Sequence, residues 1–343
     1  MTEKKVFMVL GFARSGTSVI TRGLNALGID LGDHIKEHKQ QNRWNPTGFF
    51  EDEEVIYHIN AKVYNQLGHR IRGIPIIAKN AFYQQELSSL KNDTIHRLRQ
   101  RFSKTDHWGF KNPSSAKIIP FWQSVFDAEK IKDHYIIALR NPLSSASSFA
   151  NLTDVDLETG LLLWLTHLIP IIDETMGRQR IVVSYEMMMQ DPKKQLLRIK
   201  SQLNIQTSLE DIDSYTKQFL NKDLHHHRFN ETDLINHPAI KISPLCLKVY
   251  DLLMKLASDE LHPDSTEFMD TWKIIKNEFE NYYPIYCYID TLLKRNKESQ
   301  RMIRHIQKSI VWKLFYPIRW IDDLFRQFRV KKRAKKRLLT AYE

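Results

Sequence analysis

Gly11-Phe12-Ala13-Arg14-Ser15-Gly16-Thr17-Ser18 lies between a short apolar run, Val6–Leu10, and an amphipathic stretch, Val19–Leu27. That order predicts strand, turn and helix. The backbone N–H groups of such a turn and of the helix's first residues converge on one spot, with the helix dipole behind them, and so form an anion site. The spacing matches G-x-x-x-x-G-K-[ST] except that Thr17 stands where the lysine belongs. A cation appears three residues earlier instead, as Arg14. The loop is expected to hold a phosphate-like group, but not in the manner of an ATPase.

Four apolar or β-rich runs, Val6–Leu10, His107–Phe110, His134–Leu139 and Arg180–Ser184, read as strands. Helical patterns separate them: Thr17–Leu27, Glu53–Leu67, Ala81–Arg101, Ser115–Phe126, Glu158–Met176 and Pro192–Leu203. Such alternation predicts an α/β protein with right-handed crossovers and a doubly wound parallel sheet flanked by helices. Ligands of such sheets bind at the carboxyl ends of the strands. Each strand here ends on a residue able to do chemistry: the Gly11 loop, Lys111, Arg140, and Tyr185 with Glu186. The polar segment Asp30–Phe50, with Gly32, Pro46 and Gly48, is expected to be a loop over that edge.

Arg14-Ser15-Gly16-Thr17-Ser18 after a first strand resembles the 5′-phosphosulfate loop of sulfotransferases that use 3′-phosphoadenosine-5′-phosphosulfate (PAPS). Tyr135-Ile136-Ile137-Ala138-Leu139-Arg140-Asn141-Pro142, with Ser148 eight residues after Arg140, resembles the family's 3′-phosphate site. Trp108-Gly109-Phe110-Lys111-Asn112-Pro113 is similar to a bacterial Trp-Gly-x-Lys-Asp-Pro pattern, with Asn112 in place of the acid. Asn45-Pro46-Thr47-Gly48-Phe49-Phe50-Glu51 is similar to the family's Asn-Pro-x-Gly-aromatic-x-Glu. Val183-Ser184-Tyr185-Glu186 followed by Asp191-Pro192 is similar to its Tyr-Glu-x-x-x-x-x-Pro stretch, whose tyrosine approaches the adenine. The matches run in order from about residue 6 to 203, and the loop Phe219–Arg228 extends them weakly. The resemblance implies a three-layer P-loop-type fold with PAPS as co-substrate. It also implies that Arg14, Ser15, Gly16, Thr17, Ser18, Arg140, Ser148 and Tyr185 bind the nucleotide.

Sulfuryl transfer is an in-line displacement by an acceptor oxygen, in which positioning and charge stabilisation do most of the work. Cations must stabilise the transferred group and the leaving phosphate; Arg14 and Lys111 are the candidates. A base must take the acceptor hydroxyl's proton; Glu51 is the candidate, with Glu37, His34 and His38 behind it. The ordinary alternatives are that Lys111 is a solvated strand end and that Glu51 to Glu54 are helix-terminal acids on a dipole. No acidic ligand set accompanies the motifs, so no metal is expected. His225-His226-His227 cannot all face one ion on a regular element, and Met187-Met188-Met189 reads as core filling.

The 343 residues, 42% of them hydrophobic, suffice for one large domain with an appendage, read as a catalytic domain 1–269 and a helical basic tail 270–343. Lys294–Glu343 holds 16 Lys and Arg against 4 Asp and Glu, so the net charge of +11 belongs to the tail and the preceding 293 residues are nearly neutral. Two cysteines and the lack of a leader or a spanning apolar run point to the cytoplasm. In the tail, Ile310, Leu314, Ile318, Ile321, Leu324, Phe325 and Phe328 form an apolar stripe beside Trp312, Tyr316 and Trp320. A polybasic run, Arg329–Arg337, follows, so residues 309–337 fit an anionic membrane on its inner face. Docking of the stripe on protein is the alternative, and the neutral body counts against nucleic acid. Trp312-Lys313-x-x-x-Pro317-Ile318-Arg319 also resembles tails of bacterial glycosyltransferases that build envelope glycans. That likeness implies a hydroxyl-bearing glycan or lipid-linked glycan as acceptor. The competing functions are a P-loop kinase or NTPase, which would want lysine at position 17, and a non-catalytic nucleotide-binding adaptor.

Overall fold

In the computed structural model, residues 3–35, 48–205, 212–213, 215–216 and 229–314 are described. Asn45, Pro46, Thr47, the alternative bases Glu37 and His38, the Phe219–Arg228 loop with its three histidines, and the tail from residue 315 onward lie outside them. The chain divides into two units, Met1–Tyr286 and Cys287–Glu343.

The first unit is built on four parallel strands, β1 (Lys5–Leu10), β2 (His107–Lys111), β3 (Lys132–Leu139) and β4 (Gln179–Ser184), in the order β2-β1-β3-β4. Met8 pairs with Phe110 on one side and Tyr135 on the other, and Leu139 pairs with Ser184. The chain moves outward from β1 to β2 and then crosses to the far side of β1, so the strand order reverses between β1 and β3. That is where an open α/β sheet leaves a crevice at its carboxyl edge.

Phe7, Val9, Ile136, Ala138, Ile181 and Val183 share one core with Ile20 and Leu24 of α1 (Thr17–Ala26) and Leu196 and Ile199 of α8 (Pro192–Gln202). The intervening residues Val6, Met8, Leu10, Tyr135, Ile137 and Leu139 are equally buried on the opposite face. There α4 (Ile119–Ala128) and α11 (Leu245–Ala257) contact β3. Burial on both faces is why the strands read as continuous apolar runs. The expected α/β fold, a central parallel sheet between helical layers, is the fold observed.

Among the described residues, further helices of this unit are α2 (Ala61–Gln66), α3 (Ser88–Arg101), α5 (Pro142–Ala150), α6 (Leu157–Glu174), α7 (Tyr185–Gln190), α9 (Glu231–Asn236) and α10 (Pro238–Ile242). Two expected helices begin differently. Instead of running from Ala81, the chain makes 3-10 turns at Lys79–Tyr83 and Gln85–Leu87, separated by an extended Gln84, before α3. The Ser115–Phe126 helix is divided at Ile118 into a 3-10 turn, Pro113–Lys117, and α4. Pro120 has no N–H to give to an interior turn and is accommodated only in the first turn of α4. The stretch before α2, Glu54–Asn60, is π-helical. Of the methionine run expected to fill the core, Met188 is fully buried there, while Met187 and Met189 are only partly buried.

Helix α12 (Thr266–Lys308) begins in the first unit, where Phe268, Trp272, Ile275 and Phe279 are buried. In the second unit α12 continues to Lys308 and is followed by α13 (Ile310–Leu314). Among the described residues, no helix is long and apolar enough to cross a membrane.

Candidate active site

The glycine loop turns through left-handed backbone at Arg14 (φ 71°) and Gly16 (φ 82°). Gly16 is the N-cap of α1 and offers no side-chain acceptor, and the first turn holds no acid. A helix terminus without a side-chain cap or acid is an arrangement able to receive an anion. Glycine is required at position 16 for a second reason, because a Cβ there would run into the Tyr185 ring. At Gly11 a Cβ would meet the Ala138 carbonyl of β3 at 2.8 Å.

Beyond β3, Asn141 caps α5 by accepting from the Ser144 N–H at 3.2 Å, and Pro142 occupies the first turn. The helix so started presents Ser145 and Ser148, one turn apart, to the loop. Ser15 Oγ lies 3.2 Å from Ser145 Oγ, and Arg14 Nε donates to Ser148 Oγ at 3.1 Å. Arg140 Nη1 donates to the Arg14 carbonyl at 2.8 Å, and its guanidinium lies 4.6 Å from the centre of the Tyr185 ring. The structure thus brings Arg14, Ser15, Gly16, Arg140, Ser148 and Tyr185 together. Thr17 is buried at the head of α1, and Ser18 Oγ donates to the Phe49 carbonyl at 3.1 Å, which ties α1 to the segment leading to Glu51.

Lys111, the last residue of β2, is only 2% exposed and donates through Nζ to Glu51 Oε1 at 2.7 Å. Asn112 Nδ2 donates to Glu51 Oε2 at 3.4 Å. Glu51 is therefore no helix-terminal acid facing water, and Lys111 is no solvated strand end. The next acid, Asp52, turns away to Arg101 at 2.9 Å, with burial holding its carboxyl above the usual range. His34, the remaining alternative base within the described residues, contributes its backbone carbonyl to the Glu53 N–H.

Electrostatically the site is cationic. Burial is the main cause that lowers Arg14, Arg140 and Lys111 below their ordinary values. The Arg140 charge adds to this effect at Arg14, and the Arg14 charge adds to it at Lys111, while Glu51 opposes it there. Arg14 is thus within electrostatic reach of both other cations. Sequence reasoning did not reach Ser145, and it named Glu186 at the end of β4 without assigning it a role; Glu186 accepts from the Asn141 N–H at 3.2 Å and from Ser184 Oγ at 3.1 Å. Glu186 did lie beside a flagged tyrosine, but nothing in the spacing connected it to Asn141. Among the described residues, no group of three or more His, Cys, Asp or Glu could hold a metal ion.

No protein-family model and no curated protein matches the chain. Solved structures similar to it include a sulfotransferase, STF9, from Mycobacterium avium (16% identity, 71% of this chain and 76% of that one, TM-score 0.40). Another is the sulfotransferase domain of the Synechococcus PCC 7002 olefin synthase (16% identity, 80% and 95%, TM-score 0.39). A third is the mouse sulfotransferase SULT7A1 complexed with PAP (14% identity, 82% and 90%, TM-score 0.34). At these identities and scores the likeness carries no weight of its own, and the residues themselves carry the functional reading.

Proposed function

We propose that this chain is a sulfotransferase that moves the sulfo group of PAPS to an acceptor hydroxyl. The observation that carries the proposal is the grouping of three cations at the carboxyl edge of β1, β2 and β3: Lys111 ends β2, Arg14 lies in the loop after β1, and Arg140, directly after β3, donates to the Arg14 carbonyl. Arg140 and Lys111 are buried and Arg14 is half-buried, and cations gathered so closely favour a polyanionic ligand such as a doubly phosphorylated nucleotide. A capless helix N-terminus with left-handed loop backbone fits the same ligand.

When bound, PAPS supplies the sulfo group on a good leaving phosphate. Arg140 and Ser148 would grip the 3′-phosphate, and the loop N–H groups, Ser15, Thr17 and Ser18 would hold the 5′ side. Tyr185, which packs beside Gly16 and under the Arg140 guanidinium, would stand next to the adenine. Arg14 and Lys111 stabilise charge on the transferred group and the departing phosphate. Glu51 accepts the proton of the acceptor hydroxyl, and its contact with Lys111 sets base and cation side by side.

For the acceptor we propose a glycan or lipid-linked glycan at the inner face of the cytoplasmic membrane. Support comes from exposed apolar residues at the end of α12 and in α13, Met302, Ile303, Ile306, Ile310 and Leu314, which precede the basic run of the sequence. Incubation with radiolabelled PAPS and a panel of hydroxyl acceptors tests the enzyme. Label should pass to an acceptor with the native chain and not with Lys111→Ala; no transfer to any acceptor would overturn the reading.

A further inference from the structure

Glu51 is the last member of a hydrogen-bond chain that starts deep in the core. Trp122 Nε1 of α4 donates to Asn60 Oδ1 at 3.0 Å. Asn60 Nδ2 donates to Ser114 Oγ and Ser115 Oγ, both at 2.9 Å. Ser114 Oγ donates to Asn112 Oδ1 at 2.5 Å, and Asn112 Nδ2 faces Glu51 Oε2. Trp122, Asn60 and Ser115 are fully buried, and Ser114 and Asn112 nearly so.

The direction of every link is fixed by groups that can only donate. An indole N–H has no acceptor capacity, so the Asn60 atom beside it must be the carbonyl oxygen, and its amide must face the serines. The Ser114 backbone N–H also donates to Asn112 Oδ1, at 2.8 Å, which fixes the second amide independently. Asn112 can therefore meet Glu51 only as a donor. With Lys111 on Oε1, each oxygen of the carboxylate has its own donor, so the group is held in one orientation.

We infer that Asn112 is a positioning residue, oriented by the chain from Trp122 through Asn60 and Ser114, that keeps the Glu51 carboxylate aimed at the acceptor hydroxyl. The inference rests on the proposed role of Glu51 as base. It also gives a physical reason for asparagine at this place. A carboxylate here would accept the Ser114 donors equally well but would confront Glu51 with a like charge. The charged groups around Glu51 are Lys111 from β2, Arg14 from the loop acting through Lys111, and Asp52 of its own segment, which is engaged by Arg101.

Asn112→Asp and Asn112→Ala separate positioning from folding. Both variants should bind adenosine 3′,5′-bisphosphate within about twofold of the native chain, while kcat falls about 10- to 100-fold with little change in nucleotide KM. In Asn112→Asp two carboxylates share one site, so the loss should be greatest at low pH and recede as pH rises; in Asn112→Ala it should not recede in that way. Carbon-13 NMR of the Glu51 carboxyl reads the contact without turnover. The pH at which that resonance moves should rise by about one unit in Asn112→Asp. An unmoved resonance would overturn the inference whether or not the chain transfers sulfate. A moved resonance in a chain inactive toward PAPS would overturn the proposed function alone.

Discussion

Arg140 donates to the backbone carbonyl of Arg14 at 2.8 Å, a contact between residues 126 positions apart in the chain. It joins the end of β3 to the loop after β1 at the point where strand order reverses. A guanidinium that holds the loop's backbone also helps hold Arg14 in its left-handed conformation, at φ 71°. The two arginines then act as one unit, with Ser148 on the other flank of Arg14.

Arg140→Ala should weaken binding of adenosine 3′,5′-bisphosphate by about 10- to 100-fold, the worth of hydrogen bonds to a charged group. AMP, which lacks the 3′-phosphate, should lose less. Arg140→Lys should not restore the difference, because an ammonium can neither fork onto a phosphate nor lie flat on Tyr185. Calorimetry with the two nucleotides checks this; equal losses would remove Arg140 from the 3′-phosphate site.

Gly16→Ala should injure both stability and binding. Left-handed backbone costs a residue with a Cβ about 1–2 kcal/mol, and the added methyl group meets the Tyr185 ring. The melting temperature should fall by roughly 2–8 °C, with nucleotide affinity reduced as the ring is displaced. Thermal denaturation with and without nucleotide measures both effects.

Glu51→Gln should lower kcat by about 10²- to 10⁴-fold while nucleotide affinity stays close to native. Lys111→Ala should cost kcat similarly, since it removes the proposed transition-state cation and one donor to Glu51. An adaptor that merely binds nucleotide would tolerate both substitutions. Single-turnover rates with a working acceptor distinguish the cases.

Stability should fall in mild acid because of His167. Its Nδ1–H donates to the Leu163 carbonyl at 2.6 Å, and its ring meets Phe12 of the loop edge-on, 5.3 Å between centres. Burial, followed by the Lys117 charge, drives it from 6.5 down to about 3. Between those values the unfolded chain binds a proton that the folded chain does not. The stability this provides is full above 6.5 and is lost as pH falls toward 3. Descent from pH 6.5 to 5 should cost about 2 kcal/mol, and His167→Phe should flatten that slope. Urea titrations at several pH values measure it; an unchanged slope in the variant would exclude His167 as the source.

Much of the edge chemistry was legible because each strand is a short apolar run and the chemical residue comes directly after it. Lys111 and Arg140 needed only the position of that boundary, and Ser148 needed the helix started by Asn141 and Pro142. The break at Ile118 was hidden because Ser115–Phe126 keeps helical periodicity across it. The contacts of Asn60 with Ser114 and of Trp122 with Asn60 span 54 and 62 residues and follow from tertiary packing, which no local pattern encodes. Arg14 offered its charge to inspection but not its positive φ, which the contact from Arg140 supports.

Calorimetric titration of the full chain with adenosine 3′,5′-bisphosphate in the presence of EDTA tests the central claim most directly. Saturable binding without metal, abolished in Arg14→Ala paired with Arg140→Ala, is the predicted result. No binding under those conditions, together with tight binding of ATP that requires magnesium, would contradict it.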